Sequence, residues 1–406
     1  MLHDPARHEP VLPIAWNEAA ARDTIAGIVR ETEQAWSPGR WWPVHPRDLA
    51  QGDDPDQPAT PLYHGACGVV WGLAYLEAVG AARLTRRTGF DELDELLARN
   101  RAWLKADGSG DESASFLMGD TPIEMLAQAL QPTAERADRI AALIGSNLRH
   151  PARELMWGSP GTLLAALAMH ERDGDPRWQR LFADTAAQLW SELRWSSGHE
   201  CFHWVQDLYG RRTAYLDAIH GFVATALPLI RGRALLDPQD WAAWQRCLVN
   251  TIQRTATRDG DGVNWRVFLD PPAGSRSGFL MQFCHGAPGF VICLADMPGP
   301  ELDELLIAAG QAIWSAGPLV KGANLCHGTG GNGYAFLKLY RRFNDPLWLD
   351  RARAFAMHGI AQVDADRARF GCGHASLWTG DIGFAIYLWD CLRGDAAFPT
   401  LDRFFA

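Results

Sequence analysis

At 406 residues the chain can bury a large core, and 47% hydrophobic against 21% charged residues is the balance of a globular protein. A formal net charge of −10, with no long basic run, argues against nucleic acid or an anionic membrane as the main partner. Eight scattered cysteines without a Cys-x-x-Cys pair, and a start lacking an apolar signal core, lead us to expect a reducing, cytoplasmic setting with no transmembrane segment.

Residues 1–55 are rich in Pro, Asp and polar side chains, with one helix expected over residues 16–36; this reads as a partly helical N-terminal segment packing on the rest. From residue 56 onward a glycine turn keeps returning just before an apolar run. The series is Tyr63-His64-Gly65, Met118-Gly119-Asp120, Trp157-Gly158-Ser159-Pro160-Gly161, Ile219-His220-Gly221, Cys284-His285-Gly286, Cys326-His327-Gly328 and Thr379-Gly380-Asp381. That makes seven units. The third and sixth echo one another in detail, because 17 residues separate Gly158 from Asp175-Pro176 and again Gly328 from Asp345-Pro346, each with Trp two positions after Pro. Internal duplication is the economical explanation.

Each part of the unit has a physical reading. Asp-Pro starts a helix, since Asp accepts from free N–H groups and Pro fits the first turn, where no donor is needed. The run after Asp175 carries Trp178, Leu181, Phe182, Thr185, Leu189 and Trp190 on one stripe, so it should be an outer helix with one wet face. Runs after the glycine turns, such as 161–169 and 333–339, are apolar all round and should lie inside. Asp120 and Asp381, following their turn glycines, read as caps of inner helices. With period-2 alternation scarce, the expectation is an all-α fold of about fourteen helices over residues 56–406. Seven helical hairpins would close into an α/α toroid with every glycine turn at one mouth, the eighteen tryptophans filling gaps between helices.

Closure of that ring would bring Cys284 of the fifth unit to Cys326 and His327 of the sixth. Two thiolates, one imidazole and an open position suit a catalytic zinc ion. His285 occupies the place beside Cys284 that His327 occupies beside Cys326, so spacing leaves the third ligand open between the two histidines.

The run Lys321-Gly322 to Leu325-Cys326-His327-Gly328-Thr329-Gly330-Gly331-Asn332-Gly333, with Phe283-Cys284-His285-Gly286-Ala287-Pro288-Gly289, resembles the signature of the lanthionine synthetase C-like family. Segments around Ser115–Asp120, Glu154–Gly161 and Tyr215–Gly221 match it too, so the resemblance spans roughly residues 60 to 390. It implies a seven-repeat toroid with one zinc held by Cys284, Cys326 and His327. It implies either closure of thioether rings in a dehydrated peptide or addition of glutathione to dehydroalanine or dehydrobutyrine residues. The Gly286-Ala287-Pro288-Gly289 and Lys321-Gly322 forms, and the lack of a large inserted domain, place the chain nearer the stand-alone proteins than the lantibiotic cyclases. So does Leu280, which stands where the cyclases carry an arginine, with Arg276 as the nearest substitute.

The expected chemistry is attack of a zinc-activated thiol on the β-carbon of a dehydroamino acid, followed by protonation at Cα. His220 is the candidate proton shuttle, with His285 in reserve or beside the zinc. Glu154 is expected to orient His220 or relay its proton, Lys321 to bind a glutathione carboxylate, and Asp217 to pair with His220. The fourth unit departs from the pattern by carrying Ala224 in place of its second glycine. The alternatives are a lantibiotic-type cyclase, a non-catalytic zinc- or glutathione-binding scaffold, and, most distantly, a toroidal glycosidase.

Overall fold

The computed structural model describes residues 1–49, 57–106, 108, 112–272, 274–275 and 278–405. Among these, all seven glycine turns lead into helices: α2 (Ala66–Ala78), α4 (Thr121–Leu130), α6 (Ser159–Asp173), α8 (Phe222–Arg231), α10 (Ala287–Leu294), α12 (Thr329–Phe343) and α14 (Asp381–Arg393). These are the inner helices, buried over nearly their whole circumference from α2 to α14. Between them lie α1 (Glu18–Ala35), α3 (Leu93–Ala106), α5 (Ala134–Asn147), α7 (Pro176–Ser191), α9 (Pro238–Thr255), α11 (Asp303–Ala316) and α13 (Pro346–Phe370). The predicted Asp-Pro starts form as expected, Asp175 and Asp345 each accepting from the backbone N–H two residues on, and Asp237-Pro238 starts α9 in the same way. On α7 the apolar stripe buries Trp178, Phe182, Thr185 and Leu189, but Trp190 falls at its edge and stays 40% exposed.

The fold is an α/α toroid, and backbone hydrogen bonds between successive turns show how it closes. Tyr63 N–H donates to Leu117, Leu117 to Met156, Leu155 to Ile219, Cys284 to Cys326, Cys326 to Trp378, and Trp378 back to Tyr63. Helix α1 packs against α14, so the chain's first helix stands outside its last. Among the described residues, sheet is limited to three antiparallel hairpins of three-residue strands. They pair β1 (Arg194–Ser196) with β2 (Cys201–His203), β3 (Gln206–Leu208) with β4 (Arg211–Thr213), and β5 (Thr257–Asp259) with β6 (Gly262–Asn264).

Close approach explains the second glycine of the turns. A Cβ on Gly68, Gly161, Gly289, Gly331 or Gly383 would lie 1.8 to 2.3 Å from the carbonyl oxygen six residues earlier. The fourth unit has Ala224 at that place and still forms the turn and α8, its N–H bonded to the Asp217 carbonyl. Asp120 and Asp381 do not cap as expected. Asp120 accepts instead from Asn100 and Arg101 of α3, tying an outer helix to its turn, and Asp381 accepts from His374 N–H. Their carboxylates meet donors from outside the helix, so the helical N–H groups are left to backbone carbonyls.

After α14 the chain turns back into the ring. Phe398 packs on Phe283, Tyr334 and Trp378, while Phe404 meets Trp71 and Phe116. Asp402 takes an ion pair at 2.7 Å from Lys338, which is fully buried and also pairs with Asp296 at 3.1 Å. A buried cation held between two carboxylates avoids the penalty of an unpaired charge.

Asp390 on α14 is buried as well, its carboxyl 2.7 Å from the Tyr334 hydroxyl. Burial, partly offset by that hydrogen bond, pushes Asp390 up to about 8. The native state then keeps a proton that the unfolded chain releases near 3.8, so this group lowers stability as pH rises between those values, by at most about 1.4 kcal/mol per unit. We predict that Asp390→Asn gains about 3 kcal/mol over wild type between pH 5 and pH 8, read from urea midpoints at both pH values.

Candidate metal centre

Five of the seven turns are tied by the side chain four places before their first glycine. Ser115 Oγ accepts from Met118 N–H, Asn324 Oδ1 from His327 N–H and Ser376 Oγ from Thr379 N–H. In the third and fourth units the same place holds an acid. Glu154 accepts from the N–H groups of Met156, Trp157 and Gly158, and Asp217 from those of Ile219 and His220. A carboxylate has lone pairs to spare after this, and both acids use them on the site.

Cys284 and Cys326 stand two residues before the glycines of neighbouring turns, and the link from Cys284 N–H to the Cys326 carbonyl, 3.1 Å long, holds them side by side. The two sulfurs and an imidazole nitrogen of His327 lie within 4.8 Å of one another. Both cysteines are buried and all eight in the chain are free. Burial and the neighbouring Cys326 push the Cys284 thiol well up, a cost that a cation between the sulfurs would reverse. Burial lowers His327 against the pull of Cys284, with Lys321 adding to the lowering, which favours the neutral ring that ligates metals. Two soft sulfurs and one nitrogen thus fit a divalent ion such as zinc.

Two further contacts reach the sulfurs. The Tyr63 hydroxyl is 2.8 Å from Cys326 Sγ, and Gln282 Nε2 is 2.9 Å from Cys284 Sγ. The amide oxygen of Gln282 accepts from Arg7 at 3.0 Å. Arg7 ends a 3-10 turn (Pro5–Arg7), and the N-terminal strap it opens pairs with the segment leading to the sixth turn: Val320 N–H donates to Arg7 and Glu9 N–H to Pro318.

Beside the sulfurs lie two histidine–carboxylate pairs. His285 Nδ1 is 2.8 Å from Asp217 Oδ2, and His220 Nδ1 is 2.8 Å from Glu154 Oε2, with the two rings 6.2 Å apart. The structure therefore gives the Asp217 side chain to the ring of His285 and only to the backbone of His220, because its second oxygen points across to the fifth turn. That side-chain pair also bridges the fourth and fifth turns. Burial works against a charged His285, but the Cys284 sulfur and the Asp217 carboxylate outweigh it and push the ring up to about 9. For His220 burial is likewise outweighed, here by the hydrogen bond and charge of Glu154, and the ring is raised. Burial opposes ionisation of Asp217, yet His285 holds it below the usual carboxylate value.

Lys321 is exposed at the rim, its carbonyl accepting from Arg47. Leu280 turns its carbonyl to Asn264, and Arg276 lies outside the described residues. Sequence reasoning missed Tyr63, Gln282 and an aromatic wall near His220. In that wall Trp157 Nε1 donates to the hydroxyl of Tyr209, at the tip of the β3–β4 hairpin, and the ring centroids of Tyr209 and His220 are 5.7 Å apart. The signal for Tyr63 was its place two residues before a turn glycine, shared with both cysteines. Among the described residues no helix is long and apolar enough to cross a membrane.

Comparisons with known proteins fit this geometry. The model of the lanthionine synthetase C-like protein family matches residues 58–403. The zebrafish (Danio rerio) protein named glutathione S-transferase LANCL1 is 34% identical over 141 residues, 32% of this chain and 34% of its own length. The Arabidopsis thaliana LanC-like protein GCL1 is 42% identical over 84 residues, 20% of this chain and 19% of its own length. The aligned stretches thus span about a third and a fifth of these relatives. Among solved structures, nisin cyclase superposes over 92% of this chain and 94% of its own with a TM-score of 0.61, at 13% identity, a likeness of fold.

Proposed function

This chain belongs to the lanthionine synthetase C-like family, and from that premise we propose that it adds a thiol, glutathione foremost, to dehydroalanine or dehydrobutyrine residues of a peptide or protein. The observation that carries the reading is one juxtaposition: a two-sulfur, one-imidazole cluster flanked by two histidine–carboxylate pairs. The name of the zebrafish relative supports glutathione as the thiol.

Zinc held by Cys284, Cys326 and His327 would supply the acidity that lowers the pKa of a thiol at its open position. The chain's own residues do the rest. Glu154 is fixed by three backbone N–H groups and in turn fixes Nδ1 of His220, so proton exchange with a substrate runs through Nε2. The His220 side chain keeps 15% of its surface exposed, enough to meet a substrate. A C–S bond forms at Cβ, the C=C electron pair moves to Cα, and a proton is delivered there while the thiol gives up its own. Lys321 at the rim offers an ammonium to a glutathione carboxylate, and the Trp157–Tyr209 wall offers apolar surface to the acceptor.

Incubating the zinc-loaded protein with glutathione and a dehydroalanine peptide should yield the thioether, detected by mass. Zinc-loaded wild type that forms no adduct overturns the reading. His220→Asn should lower the rate by about 10²- to 10⁴-fold while metal per chain stays at the wild-type level.

A further inference from the structure

The two sulfurs of the cluster are not bare. Each has a donor within 3 Å: Tyr63 in the first turn, remote in sequence from Cys326, and Gln282, two residues ahead of Cys284 and oriented by the remote Arg7. Neither group is free to choose its partner. Tyr63 is fixed by its backbone, which donates to Leu117 and accepts from Trp378 in the ring of turns, and its phenol packs 5.8 Å from the Trp378 ring. An amide can flip, but Gln282 is read by Arg7, and a guanidinium can only donate. The oxygen must therefore face Arg7 at 3.0 Å, which turns the NH₂ toward Cys284.

We propose that Tyr63 and Gln282 are positioning residues of the metal centre, each placing a hydrogen-bond donor on one of the two sulfurs to draw off part of its negative charge when a cation is bound. This rests on the reading that Cys284, Cys326 and His327 hold a divalent ion. Hydrogen bonds to a charged sulfur are stronger than those to a neutral thiol, so the donors favour the ligating form. By taking charge from the sulfurs they leave the ion a stronger acid toward a third, incoming thiol. They also divide the work across the fold: one donor belongs to the turn that closes the ring, the other to a residue set by the N-terminal strap.

The test uses the full chain loaded with Zn²⁺ or Co²⁺, as wild type, Tyr63→Phe and Gln282→Met. Each substitution keeps the shape of the side chain and removes the donor. Each variant should bind metal about 10- to 100-fold more weakly in competition with a chelator. The sulfur-to-cobalt charge-transfer bands should move to lower energy, because sulfurs relieved of a donor are richer in electrons. A role confined to packing or to holding the strap would not move those bands. Variants with wild-type affinity and unshifted bands overturn the proposal while the metal reading stands. A shift in one variant alone keeps that donor and removes the other. Wild type that takes up neither metal overturns the metal reading itself, and the proposal with it.

Discussion

Cys326→Ala should strip the protein of its metal. The substitution leaves one sulfur and one imidazole, and removes the acceptor that Tyr63 faces at 2.8 Å. Metal per chain, measured by elemental analysis after dialysis, should fall from near one to near zero. Thiol addition should fall by at least about 10³-fold, since Lewis acidity is worth several kcal/mol and each 1.4 kcal/mol is tenfold in rate. Cys293→Ala is the matched comparison. Cys293 is fully buried on α10, its thiol pushed up chiefly by burial, and it is packing. Its loss should cost stability and leave metal content unchanged. A Cys326→Ala protein that retains full metal would remove this residue from the ligand set.

Gly331→Ala should damage both fold and site. A Cβ there would sit 1.8 Å from the Leu325 carbonyl oxygen, a backbone atom that cannot rotate away, and 3.2 Å from Phe283 Cβ. Leu325 and Phe283 each precede a cysteine of the candidate metal cluster, so relief of the clash must move Cys326, Cys284 or both. Loss of about 3 to 5 kcal/mol of stability is expected, with weakened metal binding at temperatures where the chain is still folded. Gly145 supplies the contrast. It lies exposed in α5 with open space around its α-carbon, so Gly145→Ala should stabilise by about 0.5 to 1 kcal/mol. Thermal unfolding of the two variants beside wild type checks both signs.

The repeat was legible because its constraints act on letters. A glycine forced by a carbonyl 2 Å away, and an Asp-Pro that starts a helix, each admit few alternatives, so they recur in register and reveal seven hairpins. The partners within the site were less legible because they depend on which oxygen of a residue points where. The sequence pairs both Glu154 and Asp217 with His220, but does not show that both build turns. Asp217 spends Oδ1 on its own backbone and lends Oδ2 to His285, whereas Glu154 accepts from its backbone through both oxygens and lends Oε2 to His220 as well. Asp217 stands three residues from His220 in sequence, yet its free oxygen reaches the ring of His285, 68 positions on. Tyr63 and Cys326 are 263 positions apart, and their shared place two residues before a turn glycine puts both at the mouth without showing that they touch. Phe398, Leu401 and Phe404 stand three residues apart, the spacing of a helix face, yet the segment forms no helix, so the pattern did not show how they are buried inside the ring.

That last segment decides how a partner molecule can approach. Phe398 lies directly against Phe283 and Trp378, the neighbours of Cys284 and of the seventh turn, with Lys338 and Asp402 locked together beneath. The ring is therefore a cup, not a tunnel. A peptide acceptor of the proposed reaction would not be threaded through and scanned along its length; it would dip a loop or an end into the mouth and withdraw by the same path. Under the proposed function such a vessel would favour modified residues that stand proud of a chain or lie near its ends, and departure of the thioether would compete with arrival of the next acceptor for one doorway.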